Sequence, residues 1–236
     1  VQNRDGLYQE LVRAYNEKGD CAKALDLLGT HVFTPCEGGE HALVEQHIFA
    51  HFKLGREALD QGRCEEALAH FRDGQVFPEN LGAGVWNINF ALPCMVYEAI
   101  CLAAMGDSKA ATRIDQFVSD MGTDDFTYMY QPAVEVYRAM VQQRLGNEKK
   151  AQSMLKNCVA DWEAKRDEKG YGYFKITPFF LSLLEDQDHA RKQQYGFLLG
   201  LAHKALGDIE TAKQYFAEVL EINAGHLMAG LESGDK

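Results

Sequence analysis

A glycine followed five residues later by an alanine recurs at Gly19/Ala24, Gly62/Ala67, Gly106/Ala111, Gly146/Ala151 and Gly207/Ala212. An amphipathic run precedes each glycine, and Asp or Asn directly follows four of them. Glycine suits the left-handed position at a helix C-terminus because it has no Cβ, and Asp or Asn can accept the free N–H groups of the next helix. A small alanine one turn later lets two helices approach. Each unit is therefore predicted to be a helix, a tight turn and a second helix.

Proline placement agrees with this pattern, because no proline interrupts a predicted helix and each lies between helix pairs or at a helix start. The prolines are Pro35, Pro78, Pro93, Pro132 and Pro178. Helix-period apolar segments dominate, and alternating β patterns are almost absent. The sequence therefore predicts an all-α protein.

Charge and composition exclude several classes of protein. The 236 residues include 35 acidic and 24 basic side chains, a net charge of −11, whereas a protein that wraps nucleic acid needs a basic face. Apolar runs such as residues 179–184 are too short to cross a bilayer, and no signal segment opens the chain. The six cysteines form no C-x-x-C pair, so reduced, buried thiols are expected. We expect a cytoplasmic protein with no nucleic-acid or membrane partner.

Residues around the second turn resemble the tetratricopeptide repeat (TPR), a two-helix motif with a Leu-Gly pair, small residues, a turn glycine, an aromatic residue and a closing proline. The matching residues are Leu54, Gly55, Ala58, Gly62, Ala67, Phe71 and Pro78. The last unit repeats the pattern at Leu199, Gly200, Gly207, Ala212 and Phe216. Units three and four are degenerate, because Glu98 and Arg138 replace the leucine.

The resemblance implies a right-handed αα superhelix, or solenoid, since one helix pair cannot bury its apolar stripe alone. We expect residues 1–236 to form a single domain of about five helix pairs with long inserts between them. The pairs are predicted near residues 5–30, 43–76, 93–119, 132–165 and 190–222.

The inserts carry a second resemblance. Residues 31–40, residues 77–82 and the stretch from residue 173 to residue 229 are similar to the C-terminal region of a group of large bacterial proteins. Those proteins join a β-rich, carbohydrate-associated domain of unknown function to a tetratricopeptide-like array. The resemblance implies that this chain is the helical tail of a longer bacterial polypeptide, with any catalytic domain outside it.

The first helix of each pair lines the inner face of such a solenoid, and its inward positions are the predicted partner-binding residues. They are Arg13, Asn16, Phe52, Arg56, Ile100, Met140, Gln143, Phe197 and Lys204. The centre of this groove is predicted to be apolar, with cations toward its ends, so it does not match a clamp for a terminal carboxylate. Two interpretations stay open: a partner segment occupies the groove, or the aromatic insert at 170–188 fills it.

Candidate chemical groups have simpler interpretations. His47 and His51 lie four residues apart on one predicted helix face, a spacing that suits metal ligands, but no third ligand or H-E-x-x-H motif accompanies them. A partly buried polar helix face is the simpler interpretation. The acidic pairs at 124–125 and 185–186 are interpreted as caps and surface charge rather than catalytic carboxylates. We expect no catalysis, no metal and no cofactor, because the sequence contains no nucleophile–base motif and no phosphate-binding glycine loop.

The sequence thus predicts a non-catalytic interaction or scaffold module that docks a protein segment or another domain of its parent polypeptide. The alternative is an accessory domain of a carbohydrate-active bacterial protein, whose insert loops contribute to a glycan site. The residues of that insert site are Glu37, Glu40, Trp86, Tyr171 and Phe174. Convergence of all the inserts at one edge would favour this alternative, whereas an aromatic insert that fills the inner face would weaken peptide docking.

Overall fold

The computed structural model describes residues 4–35, 40–83, 91–107, 112–113, 131–168 and 187–234. In these residues the regular structure is helical and no strand is present, which confirms the predicted all-α class. The described helices are α1 (Asp5–Lys18), α2 (Cys21–Thr30), α3 (Glu40–Asp60), α4 (Cys64–Asp73), α5 (Leu92–Ala104), α6 (Gln131–Arg144), α7 (Glu148–Arg166), α8 (Gln187–Leu206), α9 (Ile209–Ile222) and α10 (Leu227–Ser233), with a 3₁₀ turn at Glu79–Leu81.

The packing divides the chain into unit 1 (Val1–Glu148) and unit 2 (Lys149–Asp235). Among the described helices of unit 1, each of α1 to α5 packs on the next described helix along the chain, and the alternate helices α1, α3 and α5 also pack side by side. In unit 2, α8 packs on α9 and α9 packs on α10. Neighbouring helices therefore stack within each unit as in a tetratricopeptide-like solenoid, while the single domain over residues 1–236 stays a prediction.

The predicted turn glycines have the left-handed backbone conformation. Their φ angles lie between 74° and 89° at Gly19, Gly62, Gly106, Gly146 and Gly207. The alanines five residues after four of these glycines are at most 1% exposed, and they are Ala24, Ala67, Ala151 and Ala212. Ala111 lies outside the described residues. The helix–turn–helix interpretation is confirmed at Gly19, Gly62, Gly146 and Gly207, since a described helix lies on each side of these turns. Glycine suits these positions because side chains with a Cβ rarely adopt such a φ angle.

The predicted capping role of the residue after the glycine holds in one turn and fails in another. Asp208 begins α9, and its carboxylate accepts a hydrogen bond from the Thr211 backbone N–H at 3.3 Å. Asp20 occupies the same place before α2, but its side chain makes no capping bond. The Asn147 side chain instead donates to Gln142 Oε1 at 2.8 Å. Residue type at this position is therefore compatible with a cap but does not produce one each time.

Two helical glycines explain how closely paired helices approach. A Cβ at Gly55 in α3 would lie 2.5 Å from Cε1 of Phe71 in α4. A Cβ at Gly200 in α8 would lie 2.4 Å from Cε1 of Phe216 in α9. Both rings are at most 1% exposed, so each phenylalanine packs on bare backbone and could not do so beside a larger residue.

The prolines lie where they were predicted, as far as the described residues extend. Pro93 is in the first turn of α5, and Pro132 is the second residue of α6. Pro78 precedes the 3₁₀ turn, and Pro35 lies outside the helices. Pro178 lies outside the described residues.

Candidate interaction site

Three side chains predicted for the inner face are buried within unit 1. Phe52 is 1% exposed and Ile100 is 3% exposed. Asn16 in α1 is also 1% exposed, and its Nδ2 donates to the backbone oxygen and to Oε1 of Gln46 in α3 at 3.0 and 2.9 Å. These side chains serve the packing of the first helices, so their contact with a partner stays a prediction.

Arg56 in α3 covers two of the buried rings. Its guanidinium carbon lies 4.8 Å from the ring centre of Tyr97 in α5 and 5.7 Å from that of Phe52. The two rings meet edge to face, with centroids 5.0 Å apart. A cation above an aromatic face is attracted by the ring quadrupole, so the rings orient the guanidinium. The cation above these rings is itself one of the residues predicted to line the groove, and the apolar centre of the groove stays a prediction.

Three further predicted contact residues are wholly or partly accessible. Arg13 in α1 is exposed, and its Nε lies 2.9 Å from Oε1 of Glu17. Met140 and Gln143 in α6 are half-buried. These three residues, with Arg56, stay candidates for partner contact.

In unit 2 the predicted site residues contact the C-terminal helix. Lys204 Nζ donates to Oε2 and to the backbone oxygen of Glu232 in α10, at 2.7 and 2.8 Å. The Phe197 ring lies 5.0 Å from the ring of His226, which caps α10 by accepting a hydrogen bond from the Ala229 N–H. The cation predicted at this end of the groove is therefore paired with a carboxylate of the chain itself.

The first two inserts meet in unit 1. The Phe33 N–H donates to the backbone oxygen of Asn80 at 2.8 Å, and Asn80 Nδ2 donates to the carbonyl oxygens of Leu28 and His31 at 2.6 and 2.7 Å. A Cβ at Gly82 would lie 2.8 Å from the Phe33 oxygen, so the two segments touch backbone to backbone there. Asn80 thus joins the two inserts to the end of α2.

His31 and Asp5 connect this junction to α1. The His31 ring stacks on the Tyr8 ring with centroids 4.2 Å apart, and its Nε2 lies 2.8 Å from Oδ1 of Asp5. Oδ2 of Asp5 accepts a hydrogen bond from the Thr34 N–H at 2.9 Å. The bonds from His31 and Thr34 lower the pKa of the Asp5 carboxyl.

The rest of the predicted insert site lies outside the described residues. This applies to Glu37, Trp86, Tyr171 and Phe174 and to the side chain of Glu40, the residue that begins α3. It also applies to the acidic pairs at 124–125 and 185–186. The insert site therefore stays a prediction.

A histidine cluster lies between α3 and α4. Nδ1 of His51 is 3.1 Å from Nδ1 of His70, the rings of His51 and His47 have centroids 4.7 Å apart, and His47 Nε2 lies 3.3 Å from the Asp73 oxygen. Burial, and then the neighbouring histidines, lower the pKa of His51 to about 3, so this ring is neutral at pH 7. In the residues that the structure describes, no group of three or more His, Cys, Asp and Glu side chains is arranged to hold a metal ion.

Glu98 in α5 is the centre of a charged network that no local sequence pattern revealed. Its Oε1 accepts hydrogen bonds from Arg72 Nε at 3.1 Å and from Arg113 Nη1 at 2.5 Å, and its Oε2 accepts one from Gln75 Nε2 at 2.8 Å. Burial raises the pKa of this carboxyl, but the bonds from Gln75 and Arg72 and the charge of Arg113 lower it on balance. The one indication of this network in the sequence is that Glu98 replaces the leucine of the Leu-Gly pair, because a carboxylate at a normally buried position needs hydrogen-bond or charge partners.

Comparison with known proteins adds two findings. Residues 197–226 match a family model described as a tetratricopeptide repeat, and residues 48–73 match a second model with the same description. The matched segments contain the Gly200–Phe216 and Gly55–Phe71 contacts. No solved structure matches the chain. The large bacterial parent protein with a β-rich domain stays a prediction. The chain therefore contains tetratricopeptide repeats, at residues 48–73 and 197–226.

Proposed function

We propose that this chain is an interaction module that docks a segment of a partner protein on the face of unit 1 that carries Arg56. Tetratricopeptide repeats, two of which the chain contains, are generally non-catalytic and are typical of protein-interaction modules. The observation that carries the proposal is the position of the Arg56 guanidinium over the rings of Tyr97 and Phe52, at 4.8 and 5.7 Å.

The chemistry of Arg56 indicates what the partner presents. A guanidinium has a planar fork of N–H donors, which suits backbone carbonyl and carboxylate groups. Because the rings orient that fork before binding, little side-chain entropy is lost when a partner arrives. We therefore expect an extended or helical partner segment that offers a carbonyl or carboxylate oxygen to Arg56.

The test begins with the partner, recovered by affinity capture on the whole chain and identified by mass spectrometry. Calorimetry then measures its affinity for the wild-type chain, for Arg56→Glu and for Lys156→Glu, which reverses the charge of an exposed lysine in α7. Loss of a desolvated charge contact costs at least about 1.4 kcal/mol, so Arg56→Glu should weaken binding by about tenfold or more. Lys156→Glu should change the affinity by less than about twofold. Equal affinities in all three proteins, with unchanged helical circular dichroism, would contradict the proposal.

The other predicted roles have less support. The accessory carbohydrate role requires the inserts to form a common site, and the first two inserts, at 31–40 and 77–82, meet in the described part of unit 1. It also rests on Trp86, Tyr171 and Phe174, which lie outside that part. This role stays a prediction, as do the docking of another domain of the parent polypeptide and the cytoplasmic location. Among the described helices, none combines the length and apolarity that a membrane crossing requires.

A further inference from the structure

Two arginines of unit 1 converge on a single carboxylate oxygen. Arg72 from α4 and Arg113 each bond to Oε1 of Glu98, and both arginine side chains remain more than half exposed, at 54% and 53%. The Glu98 side chain itself is 10% exposed. Gln75 fixes this carboxylate from the other side through Oε2, and its Nε2 also donates to the Phe71 backbone oxygen at 2.9 Å. Glu98 thus holds two exposed guanidiniums close together on a rigid base.

The charge of this cluster exceeds what Glu98 needs. One arginine would neutralise the carboxylate, and the second leaves one excess positive charge in a chain whose net charge is −11. A guanidinium carries five N–H donors. In the described part of the chain, Arg72 donates through Nε and Arg113 through Nη1, so the other N–H groups of each have no acceptor among those residues. Two guanidiniums with spare donors and excess positive charge can donate hydrogen bonds to an oxyanion and so form a site for one.

We infer that Arg72 and Arg113 form a binding site for a phosphate monoester, carried as a phosphorylated serine or threonine on a partner segment. A phosphate monoester brings a charge of about −1.5 to −2 and three terminal oxygens at pH 7, which matches two guanidiniums better than a single carboxylate does. Glu98 is a positioning residue, because it keeps both guanidiniums in place before the ligand binds and so reduces the entropy lost on binding.

This inference goes beyond the function proposed above and uses that function only for the source of the phosphate. The Arg56 face and the Arg72–Arg113 site are separate sets of side chains. Arg56→Glu should therefore weaken capture of the partner protein and leave the affinity for a short phosphopeptide unchanged. Failure of one proposal is in this way distinguished from failure of the other.

The experiment is an NMR titration of the whole chain that follows the Nε–Hε signals of its arginines. The probes are a short Ala-Gly-Ser peptide with one phosphoserine, the same peptide without phosphate, and inorganic phosphate. The phosphopeptide should shift the Arg72 and Arg113 signals saturably, and its unphosphorylated twin should not. Arg72→Gln and Arg113→Gln should each weaken binding by about tenfold or more, as expected for the loss of one charge-assisted contact.

Control variants separate the site from general electrostatics and from misfolding. Arg63→Gln removes another exposed arginine of unit 1, one that pairs with Glu66, and should leave the affinity unchanged. Arg72→Lys and Arg113→Lys keep a positive charge beside buried Glu98. If the glutamine variants do not fold, the lysine variants test whether binding of the phosphopeptide requires the guanidinium group. The proposal would be overturned if the phosphopeptide caused no saturable shift or if the unphosphorylated peptide caused an equal one. It would also be overturned if Arg63→Gln weakened phosphopeptide binding as much as Arg72→Gln, or if inorganic phosphate bound and the phosphopeptide did not.

Discussion

Replacement of Gly55 by alanine has two opposite effects on the free energy of unfolding, and the structure indicates which is larger. Alanine is favoured over glycine inside a helix by about 1 kcal/mol. The new methyl carbon would lie 2.5, 2.8 and 2.9 Å from three atoms of the Phe71 ring, closer than carbon atoms tolerate. Phe71 is 0% exposed, so the ring cannot turn into solvent. Overpacking of a filled core costs about 1 to 3 kcal/mol, and three short contacts indicate the upper end. We therefore predict a net loss of about 2 kcal/mol.

The assay is thermal unfolding followed by far-UV circular dichroism, with Gly29→Ala as the matched control. Gly29 lies in α2 of the same unit, and a Cβ there would meet nothing within 4 Å. A loss of about 2 kcal/mol corresponds to a fall in Tm of about 4 to 8 °C, whereas Gly29→Ala should leave Tm unchanged or raise it. Phe71→Leu should partly relieve the clash, so the double variant should lose less stability than the sum of the two single losses. A Gly55→Ala protein as stable as the wild type would refute this account of the helix pair.

Three further predictions concern a turn, a cap and a half-buried histidine. Gly62→Val should lower Tm by several degrees, since Gly62 has a φ of 74° and a β-branched residue is strained there by at least about 1 to 2 kcal/mol. Gly62→Asn should lower Tm less, and equal Tm values for the two variants would contradict the turn assignment. In urea unfolding, Asp208→Ala should lower the free energy of unfolding by about 1 kcal/mol and Asp20→Ala by distinctly less, because only Asp208 of this pair makes a capping hydrogen bond. Equal losses in the two variants would show that the capping bond does not stabilise α9. The pKa of His51 is lowered to about 3 in the folded protein, against about 6.5 in the unfolded chain. Below pH 6.5 the unfolded chain therefore binds a proton that the folded protein does not, so the free energy of unfolding is highest above pH 6.5 and falls progressively as the pH is lowered from 6.5 toward 3. Discounted for partial exposure, the loss at pH 5.5 is about 1 kcal/mol, and a His51→Gln protein with the same pH profile as the wild type in thermal unfolding would contradict it.

The helical pairing was predictable because its signals are local. A left-handed turn requires glycine, and a buried alanine follows at a fixed distance, so the recurrence of Gly62 and Ala67 elsewhere in the chain predicts each turn. Pro93 and Pro132 mark helix starts for an equally local reason. The cap at Asp208 was also predictable from residue type, but its absence at Asp20 was not, because a side-chain rotamer decides between them.

The site was less predictable because its contacts are distant in sequence. An inward position in an ideal solenoid does not reveal how closely α3 and α5 pack, so Phe52 was expected at an open groove and is buried. Lys204 was expected to be a partner-binding cation at one end of the groove, but α10 follows the last predicted pair and brings Glu232 to it. The partners of Glu98 include Arg72, 26 residues away, and Arg113, 15 residues away, and no periodic pattern relates residues at such separations.

The central claim is that α3 closes on α4, and α8 on α9, through glycine–ring contacts, and that α1 to α6 and α8 to α10 stack in chain order within their units. Nuclear Overhauser effects in the labelled protein test it most directly. We predict strong effects between the Gly55 Hα protons and the Phe71 ring and between the Gly200 Hα protons and the Phe216 ring, together with effects between the side chains of Asn16 and Gln46. Absence of both glycine–ring effects, in a protein whose circular dichroism is helical, would contradict the account.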